Sequence, residues 1–370
     1  MLEYRLQDNI SLRLLMRHHA SQLSQTIVAN ADHVGRYLDF ATPDYDEATA
    51  RSFIESELRQ LAQWRGITFG IFHQDELIGV ISANDLDFYG GRTELGYWLA
   101  RDWQGYGIMT DAVRALTNYA IKTLGLNRVE ICMMVENKRS EAIPRRLGFE
   151  YEGIREQWIR QHGRAHDAKY YIMLADNWRD DSFKPNTDLL RQDLGDGVAI
   201  GLLLPNHVPA YSKLVRESYN FLEPWLSWVT SNYTDDDARG MVNRFLNKLA
   251  DNNGMPVAMF HDNAFAGWAA YLYWNWNGLR SELGYWLGQE FIGQGTATRT
   301  VRAMTDFAIN ELGINRIDIL TDVQNEPSGR VALRAGYRHE GVRRQFVMRQ
   351  GKPLDMNVYV MLAENWHNGR

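Results

Sequence analysis

The chain has 370 residues, 45% of them hydrophobic and 12% aromatic, and a formal net charge of −6. This apolar content suffices for buried cores and argues against disorder, while the acidic balance disfavours a nucleic-acid partner, which needs a clustered basic surface. The single cysteine, Cys132, excludes an internal disulfide and fits a reducing cytosol. No apolar run approaches the ~20 residues needed to span a bilayer. We therefore expect a soluble, cytoplasmic protein without a membrane partner.

The sequence repeats itself at the length of a domain. The stretch ELGYWL at residues 94–99 recurs at residues 282–287, 188 positions later, and the register holds to the end of both copies. Solenoid repeats are shorter, roughly 20 to 50 residues, whereas a period this long has the size of a whole domain. We predict one domain at residues 1–180 and another at residues 189–370, joined by a polar, proline-containing linker at residues 181–188.

The predicted elements follow the same chain order in both copies. In the first copy, with the second in parentheses, they begin with a strand at 10–16 (198–204), a helix around 31–38 (221–229) and a helix at 46–65 (235–250). There follow two strands joined by a polar turn, the ELGYWL strand, a glycine turn, a helix at about 110–124 (298–312), another strand, a short helix and a β region ending at 170–175 (358–363). Strands and helices that interleave in this way predict a mixed α/β class.

A turn with two glycines stands between the ELGYWL strand and the following helix. It contains Gly105 and Gly107 in the first copy and Gly293 and Gly295 in the second. A helix N-terminus after such a turn offers unpaired N–H groups to a phosphate, and glycine lets the backbone approach closely. The third glycine of a dinucleotide fingerprint and the P-loop lysine are both missing. Taken alone, the turn is equally compatible with a plain connection between a strand and a helix.

The motifs around this turn occur in one order in both copies. They read GYWL, QGYGIMT, LGLNRVEI, VENKRS, IPRRLGF and EG between residues 96 and 153, and GYWL, GQGTAT, LGINRIDI, VQNEPS, LRAGY and EG between 284 and 341. This pattern resembles the GNAT superfamily of N-acetyltransferases, in particular its RimJ/RimL-like branch. The resemblance covers nearly the whole chain. It implies two tandem GNAT-like domains, each a central mixed, mostly antiparallel sheet flanked by helices, with acetyl-CoA as co-substrate and no metal.

The resemblance also implies the residues that hold acetyl-CoA. The glycine turn would wrap its pyrophosphate, the preceding strand would bond its pantetheine arm, and an asparagine would contact that arm. In the first copy these residues are Trp98, Leu99, Gln104, Gly105, Gly107, Ile108, Met109 and Asn137. In the second copy they are Trp286, Leu287, Gly293, Gly295, Thr296, Ala297 and Asn325. Because Ile292 replaces the side-chain donor Gln104, we expect weaker cofactor binding in the second copy.

Amide formation from an acyl thioester needs a neutral amine, a stabilised oxyanion and a protonated leaving thiol. The candidate general bases are Glu94 and Glu282 at the head of the ELGYWL strand, although an exposed strand-end carboxylate is an equal interpretation. The resemblance makes Ser140 and Ser328 the proton donors to the CoA thiolate. Without the family, the same N-x-x-S pattern would be read as helix capping. A backbone N–H of the tryptophan or leucine of ELGYWL would meet the oxyanion.

The copies differ most where an acceptor should bind. Asp85 and Asp87 of the first copy would favour a cationic amine, with a solvated hairpin as the alternative. We expect an N-acetyltransferase that acts by direct transfer on a protein N-terminus or a small-molecule primary amine. The alternative is a binding protein for a CoA ester or small ligand, with a degenerate second copy as internal dimer partner. In either case the two copies are expected to pack as an internal pseudo-dimer.

Overall fold

The computed structural model describes residues 3–180, 189–349 and 351–368. The predicted linker at 181–188 lies outside the described residues. The chain divides into two compact units between Leu190 and Arg191, so Leu189 and Leu190 lie with the first unit. Each unit is described by itself.

The described part of the first unit contains one eight-stranded sheet in the order β1-β2-β3-β4-β5-β6-β8-β7. Its strands are β1 (Glu3–Gln7), β2 (Ile10–Leu14), β3 (Ile67–His73), β4 (Glu76–Asp87), β5 (Arg92–Leu99), β6 (Arg128–Met134), β7 (Glu150–Gln161) and β8 (Arg164–Leu174). Its helices are α1 (Ala20–Ala29), α2 (Ala31–Val34), α3 (Glu47–Ala62), α4 (Ile108–Asn118), continued by a π-helical turn (Tyr119–Thr123), and α5 (Lys138–Arg146).

The second unit repeats this architecture with its sheet in the order β9-β10-β11-β12-β13-β14-β16-β15. Its strands are β9 (Arg191–Gly195), β10 (Val198–Leu202), β11 (Met255–His261), β12 (Ala264–Asn275), β13 (Arg280–Leu287), β14 (Arg316–Asp322), β15 (Arg338–Arg349) and β16 (Lys352–Leu362). Its helices are α6 (Val208–Glu217), α7 (Tyr219–Leu222), α8 (Asp235–Ala250), α9 (Thr296–Asn310), α10 (Glu326–Arg334) and α11 (Ala363–Asn368).

Both sheets are mixed and mostly antiparallel. The parallel pairs are β5–β6 and β13–β14, and the other described pairs are antiparallel. A parallel pair needs a long crossover, and α4 and α9 supply it. The expected fold class, two tandem mixed sheets flanked by helices, is confirmed.

Local sequence explains where the helices begin. The side chain of Asp46 accepts a hydrogen bond from the backbone N–H of Thr49 at 2.7 Å, which caps α3. In the second unit, Thr234 and Asp237 form a reciprocal capping box at the start of α8. The predicted bounds of α8, residues 235–250, match the structure, and α4 and α9 each begin two residues before the predicted position.

The helices predicted around residues 31–38 and 221–229 are correct only in part. The longer helices of this region lie earlier, as α1 and α6, while α2 and α7 are single turns. Half of the residues of α1, ASQLSQTIVA, are polar, and its short apolar stripe of Leu23 and Ile27 gives a weak periodic signal. The edge strands β1 and β9 were not predicted either. Their residues are mostly half-buried or exposed and show no clear apolar alternation.

Candidate active site

A gap opens between the central strands of each sheet. Strand β5 pairs with β4 up to Leu99, but its parallel pairing with β6 covers only residues 92–94. Strand β13 likewise pairs with β14 only over residues 280–282. Within the described chain, residues 95–99 and 283–287 therefore have no ladder partner on that side. An extended ligand can use these main-chain groups as an added strand.

The backbone direction at the gap follows from a hydrogen bond beside it. Ala100 N–H donates to Ile78 O at 2.8 Å, one residue beyond the Gly79–Leu99 pair that ends the β4–β5 register. Since N–H groups of an antiparallel strand alternate in direction, the N–H of Trp98 points back to β4 and that of Leu99 points into the gap. In the second unit Gly288 N–H donates to Ala266 O at 2.9 Å, which turns the N–H of Leu287 into the gap.

The glycine turn places a helix N-terminus near the mouth of the gap. Gly107 (φ 81°) and Gly295 (φ 81°) precede α4 and α9 in the left-handed region, and Gly105 (φ 89°) and Gly293 (φ 78°) share it. A Cβ added at Gly105 or Gly293 would meet nothing within 4 Å, so this surface is open.

The first backbone N–H groups of these helices have no helical acceptor, since the intrahelical ladder starts with Asp111 N–H to Gly107 O and with Arg299 N–H to Gly295 O. The predicted cofactor residues Ile108 and Met109 are the first two residues of α4, and Thr296 and Ala297 are those of α9. Their side chains are buried, so only their N–H groups can serve an anion.

The side chain of Gln104 ties the glycine turn to its surroundings. Its Oε1 accepts from Arg139 at 2.7 Å, and its Nε2 donates to Leu99 O at 3.2 Å. The Nε2 also contacts His33 Nε2 at 2.5 Å. Burial, foremost, lowers the pKa of His33, which keeps its ring neutral and able to accept this bond. Ile292, the counterpart of Gln104, can make none of these bonds and is 44% exposed.

Each predicted serine lies beside a tyrosine that sequence reasoning missed. Ser140 Oγ donates to the Tyr97 hydroxyl at 3.2 Å, and Ser328 Oγ donates to that of Tyr285 at 3.3 Å. Burial raises the pKa of both tyrosines to about 12, so both phenols stay protonated at neutral pH. Both tyrosines are the fourth letter of ELGYWL, so the repeated motif contained a signal without revealing the serine partner.

The asparagines before these serines cap their helices. Asn137 Oδ1 accepts from Ser140 N–H at 3.2 Å at the start of α5, and Asn325 Oδ1 accepts from Ser328 N–H at 3.2 Å at the start of α10. The capping interpretation of N-x-x-S is therefore correct. It leaves the Oγ of each serine directed to the tyrosine rather than to the helix end.

The candidate bases are half-buried carboxylates rather than exposed strand-end groups. Burial, then Glu130 and Asp85, raise the pKa of Glu94, against an opposing effect of Arg155. Burial, then Asp318, raise the pKa of Glu282, against Arg343. A raised pKa makes a carboxylate a stronger proton acceptor.

Asp85 and Asp87, the residues predicted to bind the amine acceptor, lie at the end of β4. Asp85 occupies an irregularity between β4 and β5 at φ 49° and acts electrostatically on Glu94. Asp87 Oδ1 accepts from Gly90 N–H at 2.7 Å, and its carboxylate lies 3.5 Å from Arg92. Asp85 therefore belongs to the surroundings of Glu94, while Asp87 stabilises the turn.

In the second unit, aromatic rings cover the face of the sheet that carries Glu282. The ring of Trp286, 5% exposed, lies 5.6 Å from Tyr211, 5.9 Å from Trp228 and 6.4 Å from Trp268. In the first unit the corresponding positions hold Leu23, Phe40 and Val80, and Trp98 is half-buried. The two units therefore share the gap and the serine–tyrosine pair but differ where an acceptor would approach.

Cys132 is half-buried, and burial raises the pKa of its thiol to about 11, which leaves it unreactive near neutral pH. Among the described residues, no group of three His, Cys, Asp or Glu side chains is placed to hold a metal ion. None of the helices in the described ranges has the length and apolar character needed to cross a membrane.

Comparison with known proteins agrees with this geometry. The model of the acetyltransferase (GNAT) domain family matches the chain twice, over residues 9–150 and 202–338. The chain therefore belongs to this family, with one domain in each unit, and the resemblance drawn from the motifs is confirmed.

Relatives that match over nearly their whole length each correspond to about half of this chain. YdaF of Bacillus subtilis, provisionally named a ribosomal N-acetyltransferase, is 36% identical over 48% of this chain and 98% of its own length. The ribosomal-protein-serine acetyltransferase of Escherichia coli is 28% identical over 46% of this chain and 95% of its own. A solved structure of RimL, a ribosomal L7/L12 α-N-protein acetyltransferase in complex with coenzyme A, is 26% identical over 47% of this chain and 99% of that one, with a TM-score of 0.45.

Proposed function

We propose that the first domain transfers an acetyl group from acetyl-CoA directly to a primary amine. The observation that carries the proposal is the gap between β5 and β6, which has an open helix N-terminus at one end and the pair Ser140–Tyr97 beside it. The gap offers an edge of main-chain groups outside the sheet ladder to an amide-containing arm, and the glycine turn offers N–H groups to a diphosphate. These residues fit acetyl-CoA.

The thioester of acetyl-CoA supplies an activated acyl group, and the chain positions the groups that act on it. The N–H of Leu99, directed into the gap, stabilises the developing oxyanion. Ser140 Oγ, bonded to the protonated phenol of Tyr97, supplies the proton for the leaving thiolate. Glu94 accepts the proton of the attacking amine, directly or through water, and its raised pKa suits this role.

An α-amine is the acceptor that this base serves most easily. Its unperturbed pKa is about 8, against about 10.4 for a lysine side chain. A larger fraction of α-amine is therefore neutral at physiological pH, and less basic assistance is needed. Two of the relatives carry names that refer to ribosomal proteins. We propose a protein N-terminus as the acceptor, with Asp85 near the base and with the reaction in the cytoplasm.

The second domain is the alternative candidate for a site that binds without turnover. Ile292 removes the bonds that Gln104 makes, and rings cover the face that carries Glu282. In this alternative the second domain holds a CoA ester and acts as internal partner of the first. Tethering in one chain raises the effective concentration of such a partner to about the millimolar range. Full activity of residues 1–180 expressed alone as a monomer would exclude the partner role.

The test of activity is a screen of peptides and small primary amines with acetyl-CoA, followed by thiol release. The full chain is compared with Ser140→Ala and Ser328→Ala, each assayed separately. We expect Ser140→Ala to slow turnover strongly and Ser328→Ala to leave most of it. The opposite order would assign catalysis to the second domain, and unchanged turnover in both variants would remove the serines from the mechanism.

A further inference from the structure

A cavity of about 320 Å³ opens on the first domain outside the groups assigned above. Three segments line it: the loop after α2, which contributes Arg36, the end of β6 with Met134 and Glu136, and the β7–β8 turn with His162 and Arg164. None of these residues was singled out by its sequence pattern.

The cavity lies on the same face of the sheet as the candidate base. Glu94 pairs with Glu130, and side chains alternate along β6, so Glu130 and Met134 share one face. Ala168 of β8 lies opposite Met134, and Arg164 follows at an even spacing on that face. Four residues of β-strand span roughly 13 Å, so Met134 at the cavity lies about that far along β6 from Glu130, the neighbour of Glu94. A ligand whose amine lies at Glu94 can therefore extend into the cavity.

The cavity wall is held in place by bonds between two loops. Gln161, 4% exposed, donates from Nε2 to Gly35 O at 3.0 Å. His162 N–H donates to Asp39 Oδ1 at 2.8 Å, and its ring lies 3.1 Å from the same carboxylate. These contacts join the β7–β8 turn to the loop that carries Arg36. The two arginines thus lie on segments that are tied to each other rather than on free loop ends.

The charges on the wall are unevenly paired. His166 Nδ1 lies 3.2 Å from Glu136 Oε1, and His162 is engaged with Asp39. Among the described residues, Arg36 and Arg164 have no acidic partner. Two unpaired guanidinium groups on one cavity of a chain with a net charge of −6 point to an anionic ligand group. Guanidinium groups bind carboxylates and phosphates in bidentate fashion.

The second domain lacks this arrangement. The positions that correspond to Met134 and Gln161 hold Asp322 and Arg349, which form an ion pair with each other. The position of Arg36 is occupied by Pro224. The feature is therefore specific to the first domain and is not a general consequence of the fold.

We propose that this cavity binds an anionic group of the acceptor, a carboxylate or a phosphate, through Arg36 and Arg164. This inference rests on the proposed function of the first domain. The acceptor would be an amine that also carries negative charge, for instance a peptide with acidic residues within about four positions of its N-terminus, given about 3.3 Å per extended residue.

The test compares pairs of acceptors that differ only in charge. The first pair is the amidated tetrapeptides Ser-Ala-Ala-Ala and Ser-Glu-Glu-Ala, and the second is 6-aminohexanol and 6-aminohexyl phosphate. The readout is the ratio of kcat/KM for the anionic to the neutral member, measured with the full chain and acetyl-CoA. We expect a ratio of about ten or more for at least one pair, since hydrogen bonds to charged groups contribute more binding free energy than those between neutral groups. The pair that shows it identifies the source of the anion.

The double variant Arg36→Ala/Arg164→Ala should bring that ratio close to one. The control for Arg164 is Arg160→Ala, which removes one positive charge from the opposite face of the same hairpin, because Arg160 lies opposite Ala165. The control should keep the ratio within about twofold, as expected for a screened surface charge. A ratio near one for both pairs in the unmodified chain, or an equal fall in the control, overturns the proposal.

Calorimetric titration of the same ligands into the chain saturated with CoA separates this proposal from the proposed function. Binding of an anionic ligand that depends on the two arginines, without acetyl transfer, would leave the anion site standing and reject the transfer. Acetylation of both neutral acceptors without preferential binding of the anionic ones would support the acetyl transfer and reject the anion site. Thermal unfolding of each variant shows whether it is folded.

Discussion

The hydroxyl of Ser140 lies 3.2 Å from the phenol oxygen of Tyr97, although 43 residues separate the two in the chain. The pair joins α5 to β5 along the edge where β5 leaves β6. Ser328 and Tyr285 repeat it at 3.3 Å and at the same spacing, in a domain where aromatic rings pack around Trp286. The proton donor that we propose is therefore a hydroxyl pair rather than a lone serine.

Replacement of Tyr97 by phenylalanine tests the pair. The variant keeps the ring but removes the hydroxyl that Ser140 Oγ bonds. We expect kcat to fall about tenfold or more, less than the roughly 10²- to 10⁴-fold of a whole general acid–base group because Ser140 remains, with little change in KM for acetyl-CoA. Steady-state thiol release measures both constants. Tyr285→Phe is the matched control, and an unchanged kcat in Tyr97→Phe would show that the phenol has no part in the transfer.

Exchange of Gln104 and Ile292 tests the difference in cofactor binding. Gln104→Ile removes the bonds to Arg139 and Leu99 O, so we expect CoA affinity at the first site to fall about tenfold, equivalent to about 1.4 kcal/mol. Ile292→Gln places a donor where 44% of the isoleucine is exposed and should strengthen the second site.

Isothermal titration with CoA measures the affinities and the number of sites in each variant. If Gln104→Ile and the unmodified chain bound CoA equally well, the backbone N–H groups alone would hold the diphosphate. The glutamine would then only stabilise the turn.

Features set by neighbouring residues were predictable from the sequence. Examples are the glycines that precede α4 and α9, the capping asparagines and the bounds of α8. Each depends on the backbone preferences of the residue types at that position, which can be read from the sequence. The repeat supported these predictions, because a motif that occurs twice at the same relative position is distinguished from a chance match.

Features set by tertiary packing were not predictable. Tyr97 meets Ser140 because β5 and α5 approach each other across the gap, and no local pattern encodes that contact. The cavity of Arg36 and Arg164 joins segments more than a hundred residues apart, and its signal is the lack of acidic partners in three dimensions. The short apolar stripe of α1 concealed a helix that forms because Leu23 and Ile27 pack into the core.

The raised pKa of Glu94 predicts the acid limb of the pH profile. A general base works only when deprotonated, so kcat/KM should rise with pH through a value above the ordinary glutamate pKa of 4.5. Asp85→Asn removes one of the negative charges that raise this pKa, so the limb should move to lower pH. Asparagine tolerates the left-handed conformation of this position. Asp87→Asn is the control, and a limb that stays in place in Asp85→Asn would argue against Glu94 as the base.

Glu141 should stabilise the first domain in a manner that depends on pH. Its carboxylate accepts bonds from Lys169 at 2.7 Å and from Tyr171 at 2.8 Å, and these contacts, with Lys169 foremost, lower its pKa to about 2. A carboxyl whose pKa is lowered on folding stabilises the fold fully above its ordinary pKa of 4.5, and this contribution is lost as the pH falls from there to about 2. Glu141→Gln should therefore lower the free energy of unfolding by about 1–3 kcal/mol at pH 7.

Scanning calorimetry of the full chain at pH 7 and at pH 3 measures this effect. The second domain has Gly329 at the corresponding position, so its transition is an internal reference. Lys138→Ala is the matched control, because Lys138, with 69% of its side chain exposed, also contacts Glu141, and a surface ion pair is worth at most about 1 kcal/mol. The difference between Glu141→Gln and the unmodified chain should shrink at pH 3, which lies below the ordinary pKa of 4.5, because the carboxyl is then protonated in the unfolded chain. A difference that stays constant with pH would assign the stabilisation to packing of the side chain rather than to its charge.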